Sequence, residues 1–155
     1  MRIVGIIPAR MGSSRYPGKP METIHNMPMI GHCYHRTALS LGAENTYVAT
    51  CDTEIYEYIL SIGGKAIMTA NTHTRATTRT AEALEKIEVQ IDEKIDVVVM
   101  VQGDEPLIQP NTISETVLYF QDQRVNIVNI MSRLPTKEAF DDENNVKVGV
   151  NNNNY

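Results

Sequence analysis

The run Asp96-Val97-Val98-Val99-Met100-Val101 is almost unbroken in its apolar character. A strand with one wet face alternates apolar and polar residues. A strand covered on both faces does not, and such strands belong to parallel sheets sandwiched between crossover helices. The run therefore predicts a central strand of an α/β sheet, and the rest of the chain can be read against that demand. Arg2–Ile7 is a second short β-branched run, ended by Pro8 and followed by a long loop. From Met29, apolar Ile30, Cys33, Tyr34, Ala38 and Leu41 recur at helical intervals and stop at Gly42, which suits the positive-φ position after a helix. Tyr47–Thr50 reads as a strand. Asp52 is positioned to cap a helix bearing Ile55, Ile59 and Ile62 that ends at Gly63-Gly64.

The pattern repeats with Ala66–Met68 as a strand, a polar stretch over Thr69–Thr78 and a helix carrying Ala81, Leu84 and Ile87. After the valine run, Pro110-Asn111 opens another helix, with Asn111 as cap and Ile113, Val117 and Phe120 inward. Ile127–Met131 is expected to return as a strand, Thr136 to start a short helix, and Val146–Val150 to form a last strand. Alternating strands and helices imply a mostly parallel three-layer α/β/α sheet with right-handed crossovers. The 155 residues suit one domain, residues 1–155, with a core that needs no disulfide. No long apolar span or signal-like leader is present, so the expected address is cytoplasmic and no membrane partner is expected. Cys33 and Cys51 lack metal-ligand and redox spacing and read as inert thiols.

The net charge of −5 argues against a sequence-independent nucleic-acid binder. It conceals an asymmetry. Arg2, Arg10, Arg15, Lys19 and Arg36 face only Glu22 within residues 1–43, a balance of +4, while the remainder carries −9. In open α/β sheets ligands bind beyond the carboxyl ends of the strands, so the loops after the first strand and after the valine run are where chemistry is expected. The first, Pro8 to Pro20, holds Gly12, Gly18, Ser13, Ser14, Arg10, Arg15 and Lys19. Amides around Gly12 and Ser13 can turn toward phosphate oxygens, Arg can bind them bidentately and Lys adds a mobile charge, so a polyphosphate suits the loop. It is not a Walker A loop, because Pro20 stands where a hydroxyl would hold magnesium. The second, Val101-Gln102-Gly103-Asp104-Glu105-Pro106, sets two carboxylates at a strand tip, where Mg²⁺ fits, with Asp104 the better ligand. The polar 72–79 segment adds Arg75 and Arg79 at the same edge, either lining a pocket or forming a loop. His25, His32, His35 and His73 lack zinc spacing and read as surface or packing residues.

Ile6-Ile7-Pro8-Ala9-Arg10, Ser14-Arg15-Tyr16-Pro17-Gly18-Lys19-Pro20, Val48-Ala49-Thr50-Cys51-Asp52 and Val101-Gln102-Gly103-Asp104-Glu105-Pro106, in that order, closely resemble the 3-deoxy-manno-octulosonate (KDO) cytidylyltransferase family, and the resemblance extends to Val146-Lys147-Val148. It implies a Rossmann-like nucleotidyltransferase fold that couples CTP to an acidic sugar for lipopolysaccharide or surface polysaccharide synthesis, releasing pyrophosphate. It also implies a homodimer in the full-length form. On the matching positions Arg10, Arg15 and Lys19 would hold the triphosphate. Pro8 and Ala9 would lie along the nucleotide, Gln102 would approach nucleotide or sugar, and Asp104 would bind Mg²⁺; Arg10, Lys19 and Asp104 are the expected catalytic residues.

Two departures stand out. Where the family usually reads Ser-Gly-Thr-Asp/Glu-Arg, this chain reads Arg75-Ala76-Thr77-Thr78-Arg79, keeping Thr77 and Arg79 as substrate-loop residues. Cys51 stands where an acid is common. The altered loop leaves amino-KDO, a nonulosonic acid or a sugar phosphate open as substrate, and a non-catalytic nucleotide-binding module open as function. Beside the family the chain is expected to be the front portion of a longer enzyme, with a second metal-binding aspartate, much of the sugar pocket and much of the dimer surface beyond Tyr155.

Overall fold

The structure is a computed structural model, and residues 1–12 and 16–149 are described. The chain runs through β1 (Ile3–Ala9), β2 (Thr23–Ile24), β3 (Met27–Pro28), α1 (Met29–Leu41), β4 (Thr46–Thr50) and α2 (Thr53–Ser61). It continues through β5 (Lys65–Met68), α3 (Ala76–Ile91), β6 (Val97–Met100), α4 (Pro110–Leu118) and the short α5 (Lys137–Asp141). The main sheet has the order β5-β4-β1-β6, and all of its pairs are parallel.

Side-chain alternation along β1 builds the three expected layers. Ile7 and Ala9, with Val48 of β4, face Ile30, Cys33 and Tyr34 of α1, Ile55 and Ile59 of α2, and Ile113 of α4. Val4 and Ile6, with Tyr47 and Ala49, face Ala83 and Ile87 of α3 on the other side. The strand predicted at the valine run is β6, but among the described residues it is an edge strand and not a central one: it pairs with β1 alone, with Val97 buried and Val98, Val99 and Met100 half-buried.

β1 extends two residues further than the sequence suggested and passes through Pro8. Successive residues of a strand direct their backbone groups to opposite sides. Ile6 O accepts from Val101 N (3.1 Å), so Pro8 also points to the β6 side. The ladder to β6 closes at the Ile6–Met100 pair, whereas β4 continues alongside as far as Ala9. A missing N–H at Pro8 therefore costs no ladder bond, which is why proline is tolerated in an otherwise central strand.

Other expectations shift for local reasons. The long loop after β1 contains a hairpin, β2–β3, whose turn residues His25 and Asn26 both have positive φ (48° and 64°), as the tightest hairpin turn requires. Asp52 occupies the position before α2 but makes no side-chain cap bond there. Gln109, not Asn111, precedes α4, because Pro110 takes the first helical position, where its lacking N–H is harmless. Phe120 falls in a 3-10 turn after α4 and is half-buried. Thr136 caps α5 as expected, its Oγ1 accepting from Ala139 N at 3.1 Å. Ile127–Met131 is not a strand: Ile127 is 79% exposed and pairs with no neighbour in either sheet. Val146–Gly149 likewise forms no strand, and Val150 lies outside the described residues.

Gly5 is the point where α1 meets the sheet. A Cβ there would lie 2.7 Å from Thr37 Cγ2 and 3.0 Å from Leu41 Cδ1, and buried Thr37 is itself tied to Cys33 O at 2.8 Å. Gly5→Val is predicted to lower unfolding free energy by about 1–3 kcal/mol through overpacking, measured by urea denaturation; an unchanged midpoint would contradict this packing.

Candidate functional site

Three loops leave the carboxyl edge of the sheet and meet around a cleft of about 810 Å³. The strand order reverses between β1 and β6, since the chain steps from β1 outward to β4 and β5 and then returns to β6. This is the switch point at which α/β sheets open a crevice. Gly103 allows the close approach of the β6 loop to β1. A Cβ on it would sit 2.7 Å from Pro8 O, so the loop can lie against the strand only with no side chain there.

The first loop contributes Pro8, Ala9, Arg10, Gly12, Tyr16, Lys19 and Pro20 to the cleft wall. Gly18, at φ 79°, donates its N–H to Met11 O at 2.9 Å and closes the loop on itself. A second tie comes from Asp52. Its carboxylate accepts from Met11 N at 2.8 Å, holding the loop to the end of β4 instead of capping α2. Sequence reading placed Asp52 at a strand end but assigned it to its own helix; both roles draw on the same acceptor, and only the three-dimensional neighbour distinguishes them. Ser13 and Arg15, expected among the phosphate-loop residues, lie outside the described residues.

The β6 loop brings Gln102, Gly103 and Asp104 to the cleft. Lys19 Nζ and Asp104 Oδ2 are 2.8 Å apart, so the basic and acidic loops singled out in the sequence are in direct contact. Their side chains are 41% and 53% exposed, and an ion pair so solvated contributes about 0–1 kcal/mol to stability. The pair therefore matters for what it presents to the cleft more than for holding the fold. Beneath this loop Arg36 of α1 donates to Ile108 O at 3.2 Å, and the Cys33 thiol is pushed up to about 11 by burial, with Asp104 and Glu105 nearby also raising it, as suits an inert core cysteine.

The third wall is the segment before α3 and that helix's first turn: His73, Thr74, Arg75, Ala76 and Arg79. Thr77 lies on the exposed side of this turn and does not line the cleft. No side chain caps α3. Arg10 reaches across to this wall, donating to His73 O at 3.4 Å. Glu82 holds the wall in place: it accepts from Ala70 N at 3.0 and 3.2 Å, pairs with Lys86 at 2.7 Å and bonds His73 Nε2. Lys86 first, then the Ala70 amide and His73, hold its carboxyl down to about 2. Arg79 is 3% exposed, and its guanidinium donates to Thr69 Oγ1, to Ala70 O (3.4 Å) and to Cys51 Sγ (3.4 Å).

Among the described residues no group of three or more His, Cys, Asp or Glu could by itself hold a metal ion. Two exposed carboxylates line the cleft, Glu22 and Asp104, and Asp104, at the β6 tip beside Lys19, matches a magnesium ion only where phosphate oxygens and water complete the coordination. No helix is long and apolar enough to cross a membrane among the described residues.

A carboxyl whose folded pKa lies below its ordinary 4.5 stabilises the fold above that value and loses this contribution as pH falls toward its folded value of about 2. Wild-type stability is predicted to fall more steeply than that of Glu82→Gln as pH drops through this window, followed by thermal unfolding; parallel curves would contradict the role given to Glu82.

Similar proteins place this cleft in context. A family model described as cytidylyltransferase matches residues 4–155. The 8-amino-3,8-dideoxy-manno-octulosonate cytidylyltransferase of Shewanella baltica is 37% identical over all of this chain and 63% of its own length. The 3-deoxy-manno-octulosonate cytidylyltransferase of Thermodesulfovibrio yellowstonii is also 37% identical, over all of this chain and 62% of its own. A solved structure of CMP:2-keto-3-deoxy-manno-octonic acid synthetase complexed with CTP superposes with a TM-score of 0.72 at 39% identity, covering 80% of this chain and 49% of that one. The chain thus spans somewhat under two thirds of the curated relatives it matches. With the Rossmann-like sheet, the cleft at its switch point and a family match running nearly end to end, the chain belongs to the cytidylyltransferase family.

Proposed function

We propose that this chain binds CTP in the cleft and takes part in transferring CMP to 3-deoxy-manno-octulosonate or its 8-amino relative, releasing pyrophosphate. The observation that carries the reading is the meeting of Lys19 and Asp104 at 2.8 Å across the β1–β6 crevice. A cation from a glycine-bearing loop and a carboxylate from a strand tip form the two halves of a nucleotide triphosphate site. The names of the relatives supply the nucleotide and the sugar class.

In this reading Arg10, Arg15 and Lys19 hold the triphosphate, with the amides around Gly12 and Ser13 turned to its oxygens. Pro8 and Ala9 lie along the nucleotide. Gln102 faces nucleotide or sugar, and Arg79 belongs to the substrate wall, whereas Thr77, in the first turn of α3 and away from the cleft, takes no part in it. Asp104 would hold Mg²⁺ together with phosphate oxygens and water, and that ion, when bound, offsets charge on the phosphoryl oxygens. The sugar's anomeric hydroxyl attacks the α-phosphorus in line, its proton is lost, and the bond to the pyrophosphate oxygen breaks. No covalent bond to the protein forms. The side chains contribute positioning and fixed positive charge, which offset the charge on the phosphoryl oxygens and on the leaving pyrophosphate in the transition state. The single domain over 1–155, the cytoplasmic address and a homodimer in the full-length form belong to the same proposal.

Binding and turnover are separable here. Calorimetry is predicted to show CTP binding in the presence of Mg²⁺, and Arg10→Ala to weaken it about tenfold, the worth of one charge-assisted hydrogen bond. Asp104→Asn is predicted to remove pyrophosphate release with CTP and either octulosonate while leaving the melting temperature near that of the wild type. Release only with UTP and a hexose phosphate would overturn the substrate assignment, and CTP binding with no release from any acidic sugar would assign the chain a binding role.

A further inference from the structure

Arg79 is a buried cation with no carboxylate. It is 3% exposed, yet a hydroxyl, a carbonyl oxygen and a sulfur are its partners, and no Asp or Glu oxygen lies within ion-pair distance of it among the described residues. Removing a guanidinium from water is expensive unless an opposite charge meets it. An acid on this edge, Asp52, is engaged with Met11 N at 2.8 Å, and the Cys51 sulfur, 3.6 Å from Asp52 Oδ2, stands between that carboxylate and the guanidinium. At position 51 Arg79 thus meets a thiol and no carboxylate.

The same wall holds a second cation without a carboxylate partner. Arg75, one turn earlier, lines the cleft, is exposed and forms no ion pair among the described residues. The other described cleft residues able to carry positive charge already have protein partners. Lys19 is paired with Asp104, His73 with Glu82, and Arg10 reaches the His73 carbonyl.

From this we infer that Arg79 and Arg75 form an oxyanion subsite on the α3 wall, in which a carboxylate or phosphate of the bound substrate supplies the counter-charge that the protein withholds. Arg79 is the fixed element, its fork already oriented by Thr69, Ala70 and Cys51. Arg75 is the exposed one, placed to reach the anion from the solvent side of the cleft. Both hydrogens of Nη1 are engaged by Thr69 and Ala70 and one of Nη2 by Cys51, so what Arg79 offers an incoming carboxylate or phosphate is its fixed charge and a remaining N–H, with Arg75 supplying the second contact. The subsite deepens the proposed function and rests on it for the choice of ligands, but its electrostatic basis is independent of turnover.

Calorimetry on the intact chain with two probes separates the sources: sodium tripolyphosphate, and 3-deoxy-manno-octulosonate added alone. Cys51→Asp places a carboxylate beside Arg79, and it is predicted to weaken binding of one probe about tenfold relative to its uncharged counterpart Cys51→Asn, the loss expected when a charge-assisted contact is pre-empted. A loss confined to tripolyphosphate assigns the subsite to phosphate, and a loss confined to the sugar acid assigns it to the carboxylate. Should Cys51→Asp not fold, exposed Arg75→Gln gives the second reading, with a predicted loss of about threefold for the same probe and a flatter salt dependence. Equal affinities in Cys51→Asp and Cys51→Asn, or in Arg75→Gln and wild type, overturn the subsite, as does failure of the wild-type chain to bind either probe. Pyrophosphate release is not read in this experiment, so an absence of turnover alone would count against the proposed function and leave the subsite standing.

Discussion

The structure depends on one mismatch in length: β1 outruns β6. The hydrogen-bond ladder between them stops at Ile6 and Met100, while β1 continues through Pro8 and Ala9 beside β4. Where the ladder stops, the chain after β6 turns into the loop that carries Gln102, Gly103 and Asp104, and the crevice opens beyond the end of the pairing. Pro8 reinforces the stop, because a residue with no N–H cannot extend pairing on that side. Gly103 then lets the β6 loop lie against Pro8 O without obstruction. The position of the cleft is thus a consequence of backbone pairing, settled before any polar side chain is considered.

The polar groups that fill this opening are organised in tiers. Asp52 and Glu82 do not face a ligand; they hold the loops that do, one through the Met11 amide and the other through the Ala70 amide and His73. Lys19 and Asp104 meet across the gap in a solvated pair whose modest stability leaves both groups free to exchange partners when a charged ligand arrives. Arg79 is the opposite case, buried and held by three protein acceptors, none of them a carboxylate among the described residues. A solvated ion pair can be broken cheaply, whereas an unneutralised buried guanidinium favours an incoming anion. Together they describe a site whose charge balance is completed from outside.

Much of this was legible in the sequence, and the limits of that reading are physical. The valine run located β6 and the parallel sheet but not the strand's place in it: among the described residues β6 is an edge strand, since composition records a preference for burial and not whether a second neighbour is there. The first loop and the Asp104 loop could be matched because strand ends in such sheets converge. Ile127–Met131 was misread as a strand because apolar β-branched residues record a preference for pairing, while the pairing itself depends on an available neighbour; here the segment is exposed. The roles of Asp52 and Glu82 were not legible, since their partners lie 41 and 12 residues away and a carboxylate's type does not disclose which amide it accepts from. The hairpin at His25-Asn26 was missed because neither residue is the glycine that usually marks two positive-φ positions.

The central claim is that nucleotide occupies the crevice at the carboxyl ends of β1 and β6. Amide chemical-shift mapping of the isotopically labelled chain during a CTP titration with Mg²⁺ tests it most directly. The account predicts that the largest shifts fall on Gly12, Lys19, Gly103 and Asp104, with Arg75 and Arg79 following, and that Ser40 and Ser114, which meet at 2.8 Å near the opposite edge of the sheet, stay still. Shifts centred on Ser40 and Ser114, or none at the cleft amides at saturating CTP, would contradict it.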